Sequence, residues 1–585
     1  MRIAVLDRDL CQPRKCSKEC YKYCPKVRTG DETIIFDEDD RPIISEVLCV
    51  GCGICIKKCP AEAIKIVNLP EKLKTQEVHR FGENGFVLFG LPVPHEGNVA
   101  GILGSNGIGK STSIKILTGT LRPNLGKKES VDKKELLKYF AGSELQNYFK
   151  NLTDGKIRIS HKIQNIDLLQ KFDKEVSDLL KEENEKSDDD IKKIIELLDL
   201  NNAYDRKIAD LSGGELQRVA IAISLLKNAD FYFFDEVTPF LDIFQRINIA
   251  NIIQNLSQDK NVLIVEHDLA ILDLLTDTIQ IIYGEPGVYG ITTKPIGSRS
   301  AINQYIDGYL KNENIRIRDK SIRFEVRAPR SNVELDVLKR FDRIYKKYDK
   351  GFSLEVNPGE FRKGEIVGGV GPNAIGKSTL AKLFAGVIKP TEGELDIGLK
   401  ISYKPQYVKG DSDTLVSDLL GKYTLDNQFY ERYLKPLRLD MLMNKKLSVL
   451  SGGELQRVAI VLCLIRDADM YILDEPSAHL DVEERIQISK IIRRSIEDKE
   501  ATALVIDHDI YLIDLVSDRL LVFLGEPGIS GKTSGPLEMR DGMNLFLKML
   551  GITFRRDEET KRPRINKLNS RLDRQQKEIG EYYYA

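Results

Sequence analysis

From about residue 75 the chain is written twice, and this duplication constrains the fold more than any other feature. Gly104-Ser-Asn-Gly-Ile-Gly-Lys-Ser-Thr112 recurs as Gly371-Pro-Asn-Ala-Ile-Gly-Lys-Ser-Thr379, and Leu211-Ser-Gly-Gly-Glu-Leu-Gln-Arg recurs as Leu450 to Arg457. An apolar helix, an Asp-Glu pair and a His-Asp pair follow in each copy. The step from Ser212 to Asp235 is 23 residues, as is that from Ser451 to Asp474. Two homologous α/β domains are therefore expected. Lys110 to Gln164 spans 54 residues against 29 from Lys377 to Gln406, so the first copy carries about 25 extra residues, near 128–154. Their pattern reads as two short amphipathic helices around Ala141-Gly142, exposed on the first domain. Gly284-Glu-Pro-Gly287 and Gly525-Glu-Pro-Gly528 follow the domains and read as ordered hinges. The expected division is an N-terminal module over 1–72, the first repeated domain over 73–283, a hinge over 284–330, the second repeated domain over 331–524 and a second hinge over 525–585.

Gly-x4-Gly-Lys-Ser between a strand-like run and a helix is a P-loop. Backbone N–H groups of Gly104, Asn106, Gly107 and Gly109 (Gly371, Asn373 and Gly376 in the second copy) cradle phosphates at a helix N-terminus. Lys110 and Lys377 reach the outer phosphates, Ser111 and Ser378 offer a hydroxyl to Mg²⁺, and Thr112 and Thr379 complete the loop. Phe231-Tyr-Phe-Phe and Met470-Tyr-Ile-Leu read as buried strands ending in carboxylates. Alternation along the strand would send Asp235 and Asp474 to Mg²⁺, and Glu236 and Glu475 to the attacking water. His267 and His508, at strand ends, are placed to sense the γ-phosphate; the plainer reading is a structural histidine. Ser212 with Glu215, and Ser451 with Glu454, satisfy a capping box, which leaves Gly213, Gly214, Gly452 and Gly453 unexplained unless an anion approaches the backbone there.

Eight of the nine cysteines lie between 11 and 59. Cys11-x4-Cys16-x3-Cys20-x3-Cys24-Pro and Cys49-x2-Cys52-x2-Cys55-x3-Cys59-Pro suit two [4Fe-4S] clusters, the fourth cysteine of each run serving the other cluster. Cys11, Cys16, Cys20 and Cys59 are assigned to one cluster, and Cys49, Cys52, Cys55 and Cys24 to the other. Zinc or disulfides are the competing readings, opposed by the spacing and by a reducing compartment. Cys463 sits in an apolar helix and reads as core. The 88 Lys and Arg nearly cancel the 89 Asp and Glu, so any nucleic acid would be met by local patches. No apolar run reaches membrane-spanning length, and the N-terminus turns polar within seven residues, which points to the cytoplasm.

P-loop, Leu-Ser-Gly-Gly-Glu, Asp-Glu and His in this order resemble the nucleotide-binding domains of ABC ATPases. The resemblance implies two composite sites, each signature binding the γ-phosphate held by the other domain's P-loop. Site one would join Lys110, Ser111, Gln164, Asp235, Glu236 and His267 to Ser451 and Gly453. Site two would join Lys377, Ser378, Gln406, Asp474, Glu475 and His508 to Ser212 and Gly214. Gln164 and Gln406 look like the family's Q-loop glutamine, a further Mg²⁺ ligand. Phe81 with Phe86, and Tyr348 with Phe352, stand where family aromatics stack on adenine; a core role is the alternative.

With the cysteine module in front, the whole chain resembles the ribosome-recycling ABC ATPases of archaea and eukaryotes, the RNase L inhibitor family (ABC subfamily E), and an archaeal source. The implied function is ATP-driven splitting of ribosomes into subunits by a monomer that stays on the small subunit. The implied partners are a release or rescue factor in the A site and initiation factors. A transporter's detached ATPase subunit and an iron-sulfur redox ATPase are the competing functions. Val237-Thr-Pro-Phe-Leu-Asp242 departs from Pro476-Ser-Ala-His-Leu-Asp481, and this displaced proline leaves open the geometry of the first domain's D-loop and the symmetry of the two sites. Residues 311–350 (13 Lys/Arg against 7 Asp/Glu) and 555–585 (9 against 6) are basic, with Arg299, Lys320, Arg323, Arg540 and Arg564 as candidate rRNA contacts.

Overall fold

The computed structural model describes residues 2–8, 10–68, 76–94, 97–318, 321–322, 324, 336–349, 351–395, 398–408, 410, 412–423 and 426–583. It is a multi-domain α/β protein. In the N-terminal module, strand Arg2–Leu6 pairs antiparallel with Ile64–Asn68, closing the ends of the segment on each other. Its small core mixes Ala4, Leu6, Ile34, Ile44 and Ile64 with Cys20, Cys24, Cys49 and Cys55, so the cysteines pack as apolar residues before any metal is considered. Asn84 ties the module to the following domain. Its side chain accepts from the Ile44 amide (2.7 Å) and donates to the Ile44 carbonyl (3.0 Å), while its carbonyl accepts from Leu6 N (2.8 Å).

Each repeat builds one large sheet. In the first, Ile159–Lys162, Phe231–Asp235, Asn261–Val265, Val99–Leu103 and Thr278–Glu285 run parallel and adjacent. In the second the same order is Ile401–Lys404, Met470–Asp474, Thr502–Ile506, Ile366–Val370 and Arg519–Glu526. Helices cover these strands on both faces, which is why they read as unbroken apolar runs rather than alternating ones. Parallel strands place all their C-terminal ends on one edge, where the P-loops and acidic pairs follow.

The first-domain insertion holds helices Lys133–Tyr139 and Glu144–Thr153. Leu136, Phe140, Leu145, Tyr148 and Phe149 are buried against the sheet, and Tyr148 Oη donates to the Leu117 carbonyl at 2.6 Å, so only the outer faces are exposed.

The two Gly-Glu-Pro-Gly elements are not hinges. Gly284–Gly287 turns Thr278–Glu285 into Tyr289–Thr292, which pairs back on it and lies parallel to Val87–Phe89; Gly525–Gly528 turns Arg519–Glu526 into Ser530–Glu538 in the same way. Both are hairpin turns inside the sheets, and each braces its P-loop: Gly287 N donates to Gly107 O and Gly528 N to Ala374 O, both at 2.9 Å. A Cβ on Gly284 would come within 2.3 Å of Tyr289 O, and one on Gly525 within 2.2 Å of Ser530 O, which explains the repeated glycine. The connection between domains therefore begins later, around helix Ser298–Asp307, matched by Met539–Leu550 in the second half.

The C-terminal segment, with hairpin Phe554–Arg556 and Pro563–Ile565 and helix Arg571–Ile579, clasps both halves. Arg562, 0% exposed, donates to Asp273 Oδ2 of the first domain (3.0 Å), Tyr511 Oη of the second (3.2 Å) and Asn303 Oδ1 of the connecting helix (3.4 Å). Removing one partner of a buried ion pair leaves the other charge stranded. Arg562→Met should therefore destabilise the union of the two domains by about 3 kcal/mol, read as a lower thermal unfolding midpoint; an unchanged midpoint would show that Arg562 pins nothing.

Candidate ATP and iron-sulfur sites

Both P-loops leave a strand and enter a helix through a glycine with left-handed backbone, Gly109 (φ 101°) before Lys110–Leu117 and Gly376 (φ 103°) before Lys377–Phe384. The Phe86 ring lies against Gly109 and the Phe352 ring against Gly376. Phe81 and Tyr348 pair with them, ring centroids 6.5 and 6.3 Å apart, and are half exposed. Tyr348 Oη also lies 3.5 Å from Thr379 Oγ1. All four predicted aromatics thus border a P-loop, with Lys346 Nζ over the Tyr348 ring and His79 edge-on to Phe81. Lys110 Nζ donates to Gly104 O (2.9 Å) and Ser105 O (2.8 Å); Lys377 Nζ donates to Gly371 O (2.9 Å) and Pro372 O. Burial pushes both lysines down to about 8. Such a desolvated ammonium gains charge balance from a phosphate.

Asp235 and Asp474 end their strands, and burial raises both carboxyls, Asp474 to about 6. Asp235 Oδ1 and both carboxylate oxygens of Asp474 are buried without a hydrogen-bond partner. Orphaned carboxylate oxygens with the hydroxyls of Ser111 and Ser378 nearby fit a hard divalent cation. The acid that follows is not aimed by strand alternation. The strand stops at the aspartate, and Glu236 (φ 54°) and Glu475 (φ 48°) adopt the left-handed conformation, which costs about 1–3 kcal/mol and must be held from outside.

The hydrogen bonds that grip this glutamate are the same in both domains, although its carboxyl is raised in the first and lowered in the second. Its N–H donates to a neighbouring strand, Glu236 to Val265 O (3.0 Å) and Glu475 to Ile506 O (2.8 Å). Its carbonyl accepts from a buried lysine, Lys162 (2.6 Å) or Lys404 (3.0 Å), and from a signature-helix glutamine, Gln217 (2.8 Å) or Gln456 (2.6 Å). Its carboxylate accepts from Gln164 Nε2 or Gln406 Nε2, both at 2.7 Å. Burial, then Glu266 and Asp235, raises the Glu236 carboxyl to about 7. His267 Nε2 and His508 Nε2 lie 3.5 and 3.4 Å from the glutamate oxygens, and burial lowers both imidazoles, His267 well below its usual value. Sequence reading missed Lys162, Lys404, Gln217 and Gln456. The signal was present, since each recurs at one offset in both repeats, but a lysine in a strand and a glutamine in a capped helix look ordinary.

The signature helices begin with the expected capping boxes at Ser212 and Ser451. Their glycines also answer a packing need. A Cβ on Gly213 or Gly214 would sit 3.0 Å from Phe240, and one on Gly453 2.8 Å from His479 O, with Gly452 against the His479 ring. Phe240 and His479 (φ 65° and 62°) occupy one position in the loop after the acidic pair. From this loop the two halves meet. Asn106 N donates to Asp481 Oδ2 (3.4 Å), and Asn373 N to Asp242 Oδ2 (2.7 Å), with the Asn373 amide on Phe240 O (3.3 Å). The Phe240 and His479 rings meet at 6.0 Å. The displaced proline does not distort this loop. Asp242 and Asp481 both cap helices, and the loop amides of Val237 and Thr238 bond Glu266 as that of Ser477 bonds Asp507.

In the N-terminal module Cys11, Cys16, Cys20 and Cys59 neighbour one another, as do Cys24, Cys49, Cys52 and Cys55. The second group lines a small cavity with Thr33, Ile34 and Ile44. Among the described residues no three Cys, His, Asp or Glu side chains converge on a single ion. Burial pushes the thiols of Cys20 and Cys55 up to about 11 and 12, so iron must displace protons to bind there. The first group opens on a cleft of about 1450 Å³ that also reaches Asn106, Gly287, Glu454 and Asp481.

The candidate rRNA contacts fare unevenly. Arg564 is spent on Asp273, at 2.7 Å in a buried network, and is not available to a phosphate. Arg299 pairs with Asp557 and Arg540 with Glu581, each keeping an exposed side. Lys320 and Arg323 lie outside the described residues.

Comparison with known proteins accounts for nearly every segment. The ABC transporter family model matches residues 94–239 and 355–478, a 4Fe-4S binding domain model matches 42–65, and a model described as a possible Fer4-like domain in RNase L inhibitor matches 1–32. An uncharacterized ABC transporter ATP-binding protein of Methanocaldococcus jannaschii is 52% identical over 100% of this chain and 98% of its own. Translation initiation factor RLI1 of Saccharomyces cerevisiae is 44% identical over 100% and 98%. Among solved structures, archaeal ABCE1 in a model of ribosome-bound Pelota and ABCE1 is 51% identical, with TM-score 0.94 over 100% of this chain and 99% of that one. The archaeal ribosome recycling factor aABCE1, in complex with the stalk protein aP1, is 51% identical with TM-score 0.84 over 88% and 100%. The ABC domains bind and hydrolyse ATP with Mg²⁺, and the ferredoxin-type segments carry [4Fe-4S] clusters. The chain belongs to the RNase L inhibitor family of ABC ATPases, the group that includes RLI1 and ABCE1.

Proposed function

We propose that this protein is an ATP-driven ribosome recycling factor that splits ribosomes into subunits, stays on the small subunit, and acts in the cytoplasm beside a release or rescue factor in the A site, with initiation factors as later partners. The observation that carries this reading is the reciprocal contact between halves: each P-loop amide, Asn106 or Asn373, bonds the loop aspartate of the opposite domain. Both sites are then completed within one chain, which functions as a monomer. Among the described residues no helix is long and apolar enough to cross a membrane. The ribosome-bound relative of TM-score 0.94 supports the same reading.

In each site the P-loop amides and Lys110 or Lys377 hold the phosphates. Ser111, Gln164 and Asp235, or Ser378, Gln406 and Asp474, would hold Mg²⁺, which offsets phosphate charge. Glu236 and Glu475 take a proton from the attacking water at the carboxylate, and His267 and His508 orient it. Ser451 and Gly453 close site one from across the cleft; Ser212 and Gly214 close site two. Hydrolysis removes the charge that draws the signature to the opposite P-loop, and the halves part.

Glu236→Gln combined with Glu475→Gln should lower ATP turnover at least about 100-fold and leave the chain bound to small subunits in co-sedimentation; normal turnover in that variant would reject the base assignment. Subunit splitting by the purified chain with ATP and a rescue factor, seen as loss of the joined-ribosome peak in a sucrose gradient, tests the function itself. Cys55→Ser should lower bound iron from about eight to about four atoms per chain, leaving the Cys11 cluster in place; full iron content would break the assignment of Cys55 as a ligand.

A further inference from the structure

Each signature helix touches two ATP sites. Its first turn, Ser212 to Gly214 in the first domain, faces the nucleotide of site two on the proposal above. One turn further along the same helix Gln217, 1% exposed, donates from Nε2 to the carbonyl of Glu236, the base of site one. The second domain repeats this: Ser451 to Gly453 face site one, and Gln456 donates to the carbonyl of Glu475, the base of site two. The glutamate sits in a left-handed conformation, and Lys162 or Lys404 shares its carbonyl with the glutamine. A shift of the helix along its axis, as the signature engages a γ-phosphate, is therefore passed to a peptide whose side chain serves the opposite phosphate.

We infer that Gln217 and Gln456 are positioning residues that report the occupancy of one ATP site to the catalytic glutamate of the other. This rests on the composite-site reading and adds the wire between the sites. The local alternative, a glutamine that merely anchors its own helix, makes a different forecast. A loosened signature helix harms the site its N-terminus serves, whereas a loosened glutamate harms the site its carboxylate serves.

The test uses the full chain with one base disabled, so that turnover comes from one site. Glu475→Gln isolates site one and Glu236→Gln isolates site two; if neither background changes turnover, the base assignment fails before the present inference is reached. Gln217→Met keeps the volume and removes the donor. It should lower kcat about tenfold in the site-one background and less than threefold in the site-two background, with the ATP KM moving less than twofold. Gln456→Met should give the reverse pattern, and supplies the same test in the other domain should the first variant fail to fold. Ser212→Arg, which blocks the signature of site two, should slow site one in a chain with Gln217 but add less than twofold once Gln217→Met is present, as coupled residues require. Equal losses at both sites, losses confined to the site served by the helix N-terminus, or fully multiplicative losses with Ser212→Arg would each overturn the inference.

Discussion

Two backbone amides hold the arrangement on which the rest depends. Asn106 N and Asn373 N reach from their own P-loops to Asp481 and Asp242 of the opposite domain. Those aspartates are helix N-caps, so their carboxylates are already positioned by the Glu484 and Gln245 amides and are shared rather than moved. The loop that carries each of them packs on its own signature glycines through Phe240 or His479. P-loop, opposing loop and opposing signature thus form one continuous chain of contacts in each direction.

The polar interior around the acidic pair shows why this edge of the sheet is stable while exposing so much charge to a ligand. Lys162 and Lys404 are buried cations that donate to carbonyls beside the acidic pair's carboxylates, with pKa values lowered to about 8 by desolvation. Glu266 and Asp507 are buried carboxylates that bond the amides of the following loop. These buried charges are satisfied by backbone groups that would otherwise be orphans at a strand end and by the hydroxyls of Thr238 and Ser477, so neither sign is stranded. Among the oxygens left unpartnered are Asp235 Oδ1 and both of Asp474, a donor set that fits a divalent cation.

Local spacing made the P-loops, signatures, acidic pairs and cysteine runs legible, because each motif works through residues a few positions apart. What failed was non-local. Gly-Glu-Pro-Gly is turn chemistry in a hinge or a hairpin alike; what decides is that Tyr289–Ile291 pairs with Val87–Phe89, about two hundred residues earlier. Arg564 counted as a basic residue in a basic segment, yet its partner Asp273 lies in the first domain. The displaced proline left the loop geometry open, although Asp235 to Asp242 keeps the spacing of Asp474 to Asp481, and spacing rather than identity fixed the backbone. The lysine beside each Q-loop was hidden for the opposite reason: nothing in a strand pattern distinguishes a charge that points inward to carbonyls.

The iron-sulfur module lies beside the first P-loop, next to its brace, and has no counterpart in the second half. Gly287 holds the first P-loop, its neighbour Glu285 pairs with Lys65 of the module at 3.5 Å, and the Cys11 group shares a cleft with Asn106 and with Glu454 behind the opposing signature. The second P-loop has the same brace at Gly528 but no module upon it. On the composite-site reading proposed above, the second domain's signature would meet the first P-loop across the cleft that the module lines, whereas among the described residues the second P-loop has no such neighbour, so the asymmetry is one of position.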